Sequence, residues 1–167
     1  MSPAPVEESW VRLECWLAAN APGNFARLNP PAVPSAIAAA EEALGRVFPE
    51  DLRRVLLLRN GTNTHDLSGN YHHGAGLLPE FGELLPVERI AGVHAMRVEI
   101  MQGHMEVEEG FGEWALSNWW HPDWLPIADS SSADGLFLDQ RDGADQGTHF
   151  ILGRPERHGD SAGRRWP

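Results

Sequence analysis

Four aspartates, Asp129, Asp134, Asp139 and Asp142, fall inside the stretch WLPIADSSSADGLFLDQRDG (124–143). Carboxylates so close together could hold a metal ion, share an acid–base task, or shape a turn and charge a surface. An EF-hand calcium loop is excluded by spacing. Counted from Asp129, the fifth position is Ala133, the sixth is Asp134 where such a loop needs glycine, and no glutamate stands at the twelfth. An acid–base pair needs one carboxyl with a raised pKa, hence burial, whereas turn aspartates are solvated. The expectation is therefore that Asp129 and Asp134 bracket a loop between strands through side-chain-to-backbone hydrogen bonds.

A second group is His65, Asp66, His72 and His73 in the polar, glycine-rich run TNTHDLSGNYHHGAG (62–76). Its spacing matches no zinc site. A small metal-dependent hydrolase built on these histidines is the alternative reading of the chain. Nucleophilic chemistry finds no G-x-S-x-G elbow, and Cys15 beside Trp16 in a helical stretch is expected to be a buried, inert thiol. The run GNYHHGAG lacks the lysine and the strand-to-helix context of a phosphate loop. No catalytic residue, metal or cofactor is expected.

The elements that must carry these residues are legible in outline. Val6, Trp10, Leu13 and Leu17 form one helical stripe that ends at Asn20, Pro22 and Gly23, with Trp10 and Trp16 read as packing residues. After the connector NPPAVP (29–34), Ser35 is the expected N-cap of a helix whose Ile37, Ala40 and Leu44 face inward, and Gly45 suits a left-handed stop. Pro49 opens the next helix, with Glu50 and Asp51 in its first turn and Leu52, Val55 and Leu56 buried. Asn60-Gly61 stops it. LLPEFGELLP (77–86) reads as a strand or an extended pass, and Ile90, Ala91, His94, Val98 and Met101 as another helical stripe weakened by Gly92 and Gly103. From Trp124 the period becomes two: Leu125 and Ile127, Leu136 and Leu138, His149 and Ile151 mark three short strands. Helices first and strands later predict an α+β fold with an antiparallel sheet.

With 167 residues, 42% of them hydrophobic, the chain suits one domain spanning 1–167. The single cysteine and the acidic N-terminus MSPAPVEESW, with no apolar run, point to a cytoplasmic protein. Charge is unevenly placed. Residues 1–98 carry 11 acids against 8 arginines, 99–145 carry 11 acids against Arg141 alone, and 146–167 carry 2 acids against 4 arginines, within a net charge of −11. Such a field repels phosphates within a Debye length of about 8–10 Å. Nucleic acid and anionic membrane are therefore poor partners, and a basic protein surface is a good one. The bland alternative is that the acids serve solubility.

Two blocks, taken in order, resemble the SMI1/KNR4 family of the SUKH superfamily. The first is IAAAEEALGRVFPEDLRRVLLLRNG, carried by Ile37, Glu41, Leu44, Gly45, Pro49, Asp51, Leu52, Asn60 and Gly61. The second is WLPIADSSSADGLFLDQRDG, carried by Trp124, Pro126, Ile127, Ala128, Asp129, Asp134, Gly135 and Asp139, with GLLP and LLPVERI between the blocks. The likeness covers about residues 35–153, leaving a helical extension at 1–34 and a tail at 154–167. It implies helices packed on one mostly antiparallel sheet, no enzymatic activity, and either an immunity protein that neutralises a toxin by binding it or a regulatory scaffold of the cell-wall-regulator type. In that light the partner is expected to be a basic toxin domain, and the oligomeric state stays open. Expected docking residues are Tyr71, His72, Glu108, Glu109, Trp119, Trp120, Asp129, Asp134 and Asp142, although Trp119 and Trp120 also fit core packing or the shielding of a sheet edge. Gly45, Pro49, Asn60, Gly61, Trp124, Pro126 and Asp139 are expected to be structural.

Overall fold

The structure, a computed structural model, describes residues 5–65, 70, 76, 77, 82–107, 120–130, 135–141 and 149–152, and of 104–107 and 149–152 it describes the backbone only. Helices come first: α1 (Val6–Asn20), a single-turn α2 (Pro22–Phe25), α3 (Pro34–Leu44) and α4 (Glu50–Leu58). Within the run 77–86 lies β1 (Glu83–Leu84), and α5 follows at Val87–Val107. β2 (Trp124–Asp129), β3 (Gly135–Asp139) and β4 (His149–Leu152) are the three strands announced by the period-two pattern. They join β1 in one antiparallel sheet, ordered β1-β2-β3-β4. The fold is α+β, as expected. Among the described residues no helix is long and apolar enough to cross a membrane.

Local chemistry explains the joints. Gly45 takes the left-handed φ of 66° that closes α3. Its N–H and that of Arg46 reach back to the carbonyls of Glu42 and Glu41, at 3.1 Å each. The Glu41 side chain then accepts the Phe48 N–H at 2.7 Å, which fixes the turn into α4. Pro126 would break a ladder inside β2, but the register shifts between Pro126 and Ala128, so the proline sits at an irregularity that tolerates it. The main core gathers Ile37 and Ala40 from α3, Leu56 from α4, Val87, Ile90 and Val93 from α5, and Leu125 and Leu138 from the sheet. A second cluster seats Trp10 and Leu17 of α1 against Val55 and Leu58 of α4.

Several expectations change. α3 begins at Pro34 with Val33 as its cap residue and no side-chain cap, so Ser35 does not cap it; proline at the first position removes one orphan N–H, and the Ala36 N–H donates to the Val33 carbonyl at 2.9 Å. Pro49 is the residue before α4, which starts at Glu50. Trp16 is 58% exposed and Cys15 is also exposed, because the stripe through Trp10 and Leu17 faces α4 and turns both neighbours outward. The buried face of α5 is Val87, Ile90, Val93, Arg97 and Met101, rotated from the expected set by an arginine in a core position. Gly92 and Gly103 face open space, where a missing side chain costs little packing.

Candidate partner-binding surface

The hairpin separates Asp129 from Asp139. Asp129 pairs across the ladder with Gly135, and Asp139 with Trp124, at opposite ends of β3. Four residues of strand rise about 14 Å. Two carboxylates that far apart share neither a metal nor a proton. Among the described residues no group of three or more metal-ligating side chains converges.

Asp129 and Asp139 instead each hold an arginine. Asp129 accepts from Nη2 of Arg97 at 2.7 Å, and both side chains are largely buried. Asp139 accepts from the Arg141 backbone N–H and Nε, each at 3.0 Å. Burial pushes the Asp139 carboxyl up, but the hydrogen bonds from Arg141 outweigh it and hold the group below the usual aspartate range. Asp123, just before β2, is bound to Arg46 at 3.1 Å. The expectation that Asp129 adorns a free docking face is therefore corrected: its charge is neutralised where α5 meets the sheet.

Trp120 is corrected as well. It is 1% exposed, with its ring edge-on to Trp124 and Phe137 at centroid distances of 5.9 and 5.8 Å. The Arg97 guanidinium lies over it at 5.7 Å. A large aromatic surrounded by other rings gains more by burial than by waiting at a surface, so this residue leaves the set of docking candidates. Tyr71, His72, Glu108, Glu109, Trp119, Asp134 and Asp142 lie outside the described residues, as do Asp66 and His73.

His65 is described, and it ends a buried relay. Thr64 Oγ1 donates to Glu83 Oε2 at 2.6 Å and lies 3.1 Å from His65 Nδ1. With the hydroxyl proton directed at the carboxylate, the ring must donate to Thr64. Arg89 also binds Glu83, and these side chains line a polar niche of about 220 Å³ with Asn29, Thr62 and Asn63. Sequence reasoning missed Glu83, Arg89 and Arg97. Only Arg97 left a signal, a charge spaced i+7 from Ile90 and i+4 before Met101, at core periodicity.

The exposed groups left for recognition are different ones. Glu8, Glu42, Asp51 and Glu99 are exposed and make no ion pair among the described residues. Val11 and Trp16 on α1, Leu57 on α4 and Val47 before it are exposed apolar side chains.

The sequence profile described as the SMI1 / KNR4 family (SUKH-1) matches residues 31–167. The chain belongs to the SMI1/KNR4 family. Comparison with curated proteins finds no match. The residues of this SMI1/KNR4 protein that carry the family pattern have structural work in hand. Gly45 and Glu41 shape the α3–α4 turn as described above. Asn60 Oδ1 accepts the Val87 N–H at 2.7 Å, so a residue just past the end of α4 caps α5. Trp124 stacks on Phe137 at 4.1 Å, and Asp139 fixes Arg141. α1 and α2 precede the matched residues. Gly45, Glu41, Asn60, Trp124 and Asp139 are thus engaged in folding.

The Asp139–Arg141 pair carries a pH signature. Because Asp139 ionises more readily folded than unfolded, its stabilisation is complete above the ordinary aspartate range near about pH 4 and is lost as pH falls through its lower folded value. Urea midpoints of the parent should therefore drop between about pH 4 and pH 2, and those of Asp139→Asn should drop less steeply. Parallel slopes would show that the carboxyl titrates alike in both states.

Proposed function

We propose that this SMI1/KNR4 protein is a non-enzymatic binding domain that acts in the cytoplasm as an immunity factor, neutralising a cognate toxin by direct contact. The family assignment over residues 31–167 carries the reading. The net charge of −11 supports a basic partner, since an anionic surface speeds the encounter with a cationic one and adds specificity against acidic bystanders. The exposed acids Glu8, Glu42, Asp51, Glu88 and Glu99 can contribute to that field, whereas Asp129 and Asp139 of the hairpin are already paired.

The test is to identify a toxin-like gene beside the one encoding this chain and co-express its product, followed by purification and binding measurements at low and high salt. A stable complex is expected, with affinity weakening by about tenfold or more as ionic strength rises from about 50 to 300 mM, the mark of long-range charge attraction. The toxin's activity should be lost in the complex. Absence of binding at both salt concentrations would overturn the immunity role.

A further inference from the structure

A groove of about 920 Å³ opens between α4 and the sheet. Leu52, Val55 and Leu56 form one wall, and Leu85, Ile127 and Leu138 the other. Protein interiors normally leave few voids larger than a water molecule, so an apolar recess of this size is a feature to be explained. It lies at the upper end of the range, about 300–1,000 Å³, of pre-formed ligand clefts. Val47 stands at its lip, 67% exposed. One side is closed by Val6 and Trp10 of α1, which precedes the residues matched by the family profile, so the shape belongs to this chain and not to the family pattern alone.

We propose that this groove receives an apolar anchor from a partner protein, carried on a segment whose flanking residues are basic. The charge around the mouth selects the flanks. Arg59 is already held by both Glu14 oxygens, at 2.8 and 3.3 Å, and Asp139 by Arg141. Glu50 is bound to Arg54 at 3.1 Å. That leaves Asp51 as the exposed lining charge outside any ion pair among the described residues, within a protein of net charge −11. An arginine or lysine beside the anchor meets attraction there, and an acidic residue meets repulsion. The inference rests on the protein-binding reading and specifies what the partner brings.

The probe is a labelled amphipathic helical peptide with leucines on one face and arginines on the other, titrated into the full chain by fluorescence anisotropy. Two control peptides replace the leucines by serine or the arginines by glutamate. The leucine–arginine peptide is expected to bind at one site, at least about tenfold tighter than either control. Val47→Asp and Asp51→Lys, both on the exposed lip, should each weaken it about fivefold or more while leaving the circular dichroism and melting temperature near those of the parent. Equal binding of the serine peptide, or affinity untouched by both substitutions, overturns the proposal. A dimer of the chain alone that Val47→Asp dissolves would give the groove to a second copy, and tighter peptide binding in Trp166→Ser would give it to the chain's own C-terminus; either result also overturns it. The peptide titration can fail while the toxin complex forms, which would place the interface elsewhere and leave the immunity reading standing.

Discussion

Arg97→Ala is expected to cost about 3–5 kcal/mol of folding stability, read as a shift in urea or guanidinium midpoint. A domain of this kind has about 5–15 kcal/mol in total, so the variant would be unfolded or close to it under ordinary conditions. The reason lies in what would remain. Arg97 is 6% exposed, and its guanidinium is bound to Asp129 and lies over the Trp120 ring. Truncation leaves the Asp129 carboxylate largely buried without its counter-charge, and strips one face of Trp120 of its cover. Arg97→Lys keeps the charge but loses the planar fork and the stacking, so an intermediate loss of about 1–2 kcal/mol is expected. Exchanging both partners for apolar residues, Arg97→Met with Asp129→Leu, should recover most of the loss, because the buried charges then disappear together. A loss below about 1 kcal/mol for Arg97→Ala would mean that water reaches Asp129 freely and that the pair does not anchor α5 to the sheet.

That residue also marks where sequence reading stops. The α3–α4 unit and the β2–β3 hairpin are legible because their signals are local: apolar spacing, a glycine with left-handed φ, a proline ahead of a helix, short period-two apolar pairs set between Asp/Ser/Gly turns. α5 is legible as a helix, but its orientation is not, since periodicity counts apolar residues and gives an arginine to solvent. Only the placement of Asp129, far along the chain, makes position 97 a core position. Trp16 and Trp120 fail in opposite directions for one cause. A tryptophan's hydrophobicity argues for burial and its hot-spot record for exposure, and neither says whether a neighbour covers it. In the structure α4 covers Trp10 and leaves Trp16 open, while Trp124, Phe137 and Arg97 enclose Trp120. The hairpin aspartates teach the same lesson. Their spacing argues against a calcium loop, yet the choice between turn and surface omits a third role, ion-pair anchor, which Asp129 and Asp139 take once the arginines are in place. The groove beside α4 has no sequence signal, because an absence of packing is a property of assembled elements.

Gly61→Ala is expected to be the most damaging single-methyl change described by the structure, and Gly45→Ala supplies its control. Both glycines have φ of 66°, so alanine at either position meets the same intrinsic penalty of about 1–2 kcal/mol. Their surroundings differ completely. A Cβ at Gly45 meets nothing within 4 Å. A Cβ at Gly61 falls 2.5 Å from the Leu84 carbonyl oxygen and 2.6 Å from both Leu85 C and Pro86 N. Those are backbone atoms, and they are held in place. The chain at Gly61 is fastened on one side by the Asn29 N–H to its carbonyl at 3.0 Å. On the other side the Thr62 N–H donates to Leu84 at 2.9 Å, and the Leu85 N–H donates to Ile127 at 2.9 Å. Relief would have to open the link between β1 and α5, including the Asn60 cap on Val87. A loss of about 3–5 kcal/mol is expected for Gly61→Ala against about 1–2 kcal/mol for Gly45→Ala, measured as chemical-denaturation midpoints under one set of conditions. The gap between the two variants isolates the close approach from the backbone conformation. Equal losses would mean that the segment through Gly61 stands clear of Leu84–Pro86, and that the Asn-Gly pair serves only to stop a helix.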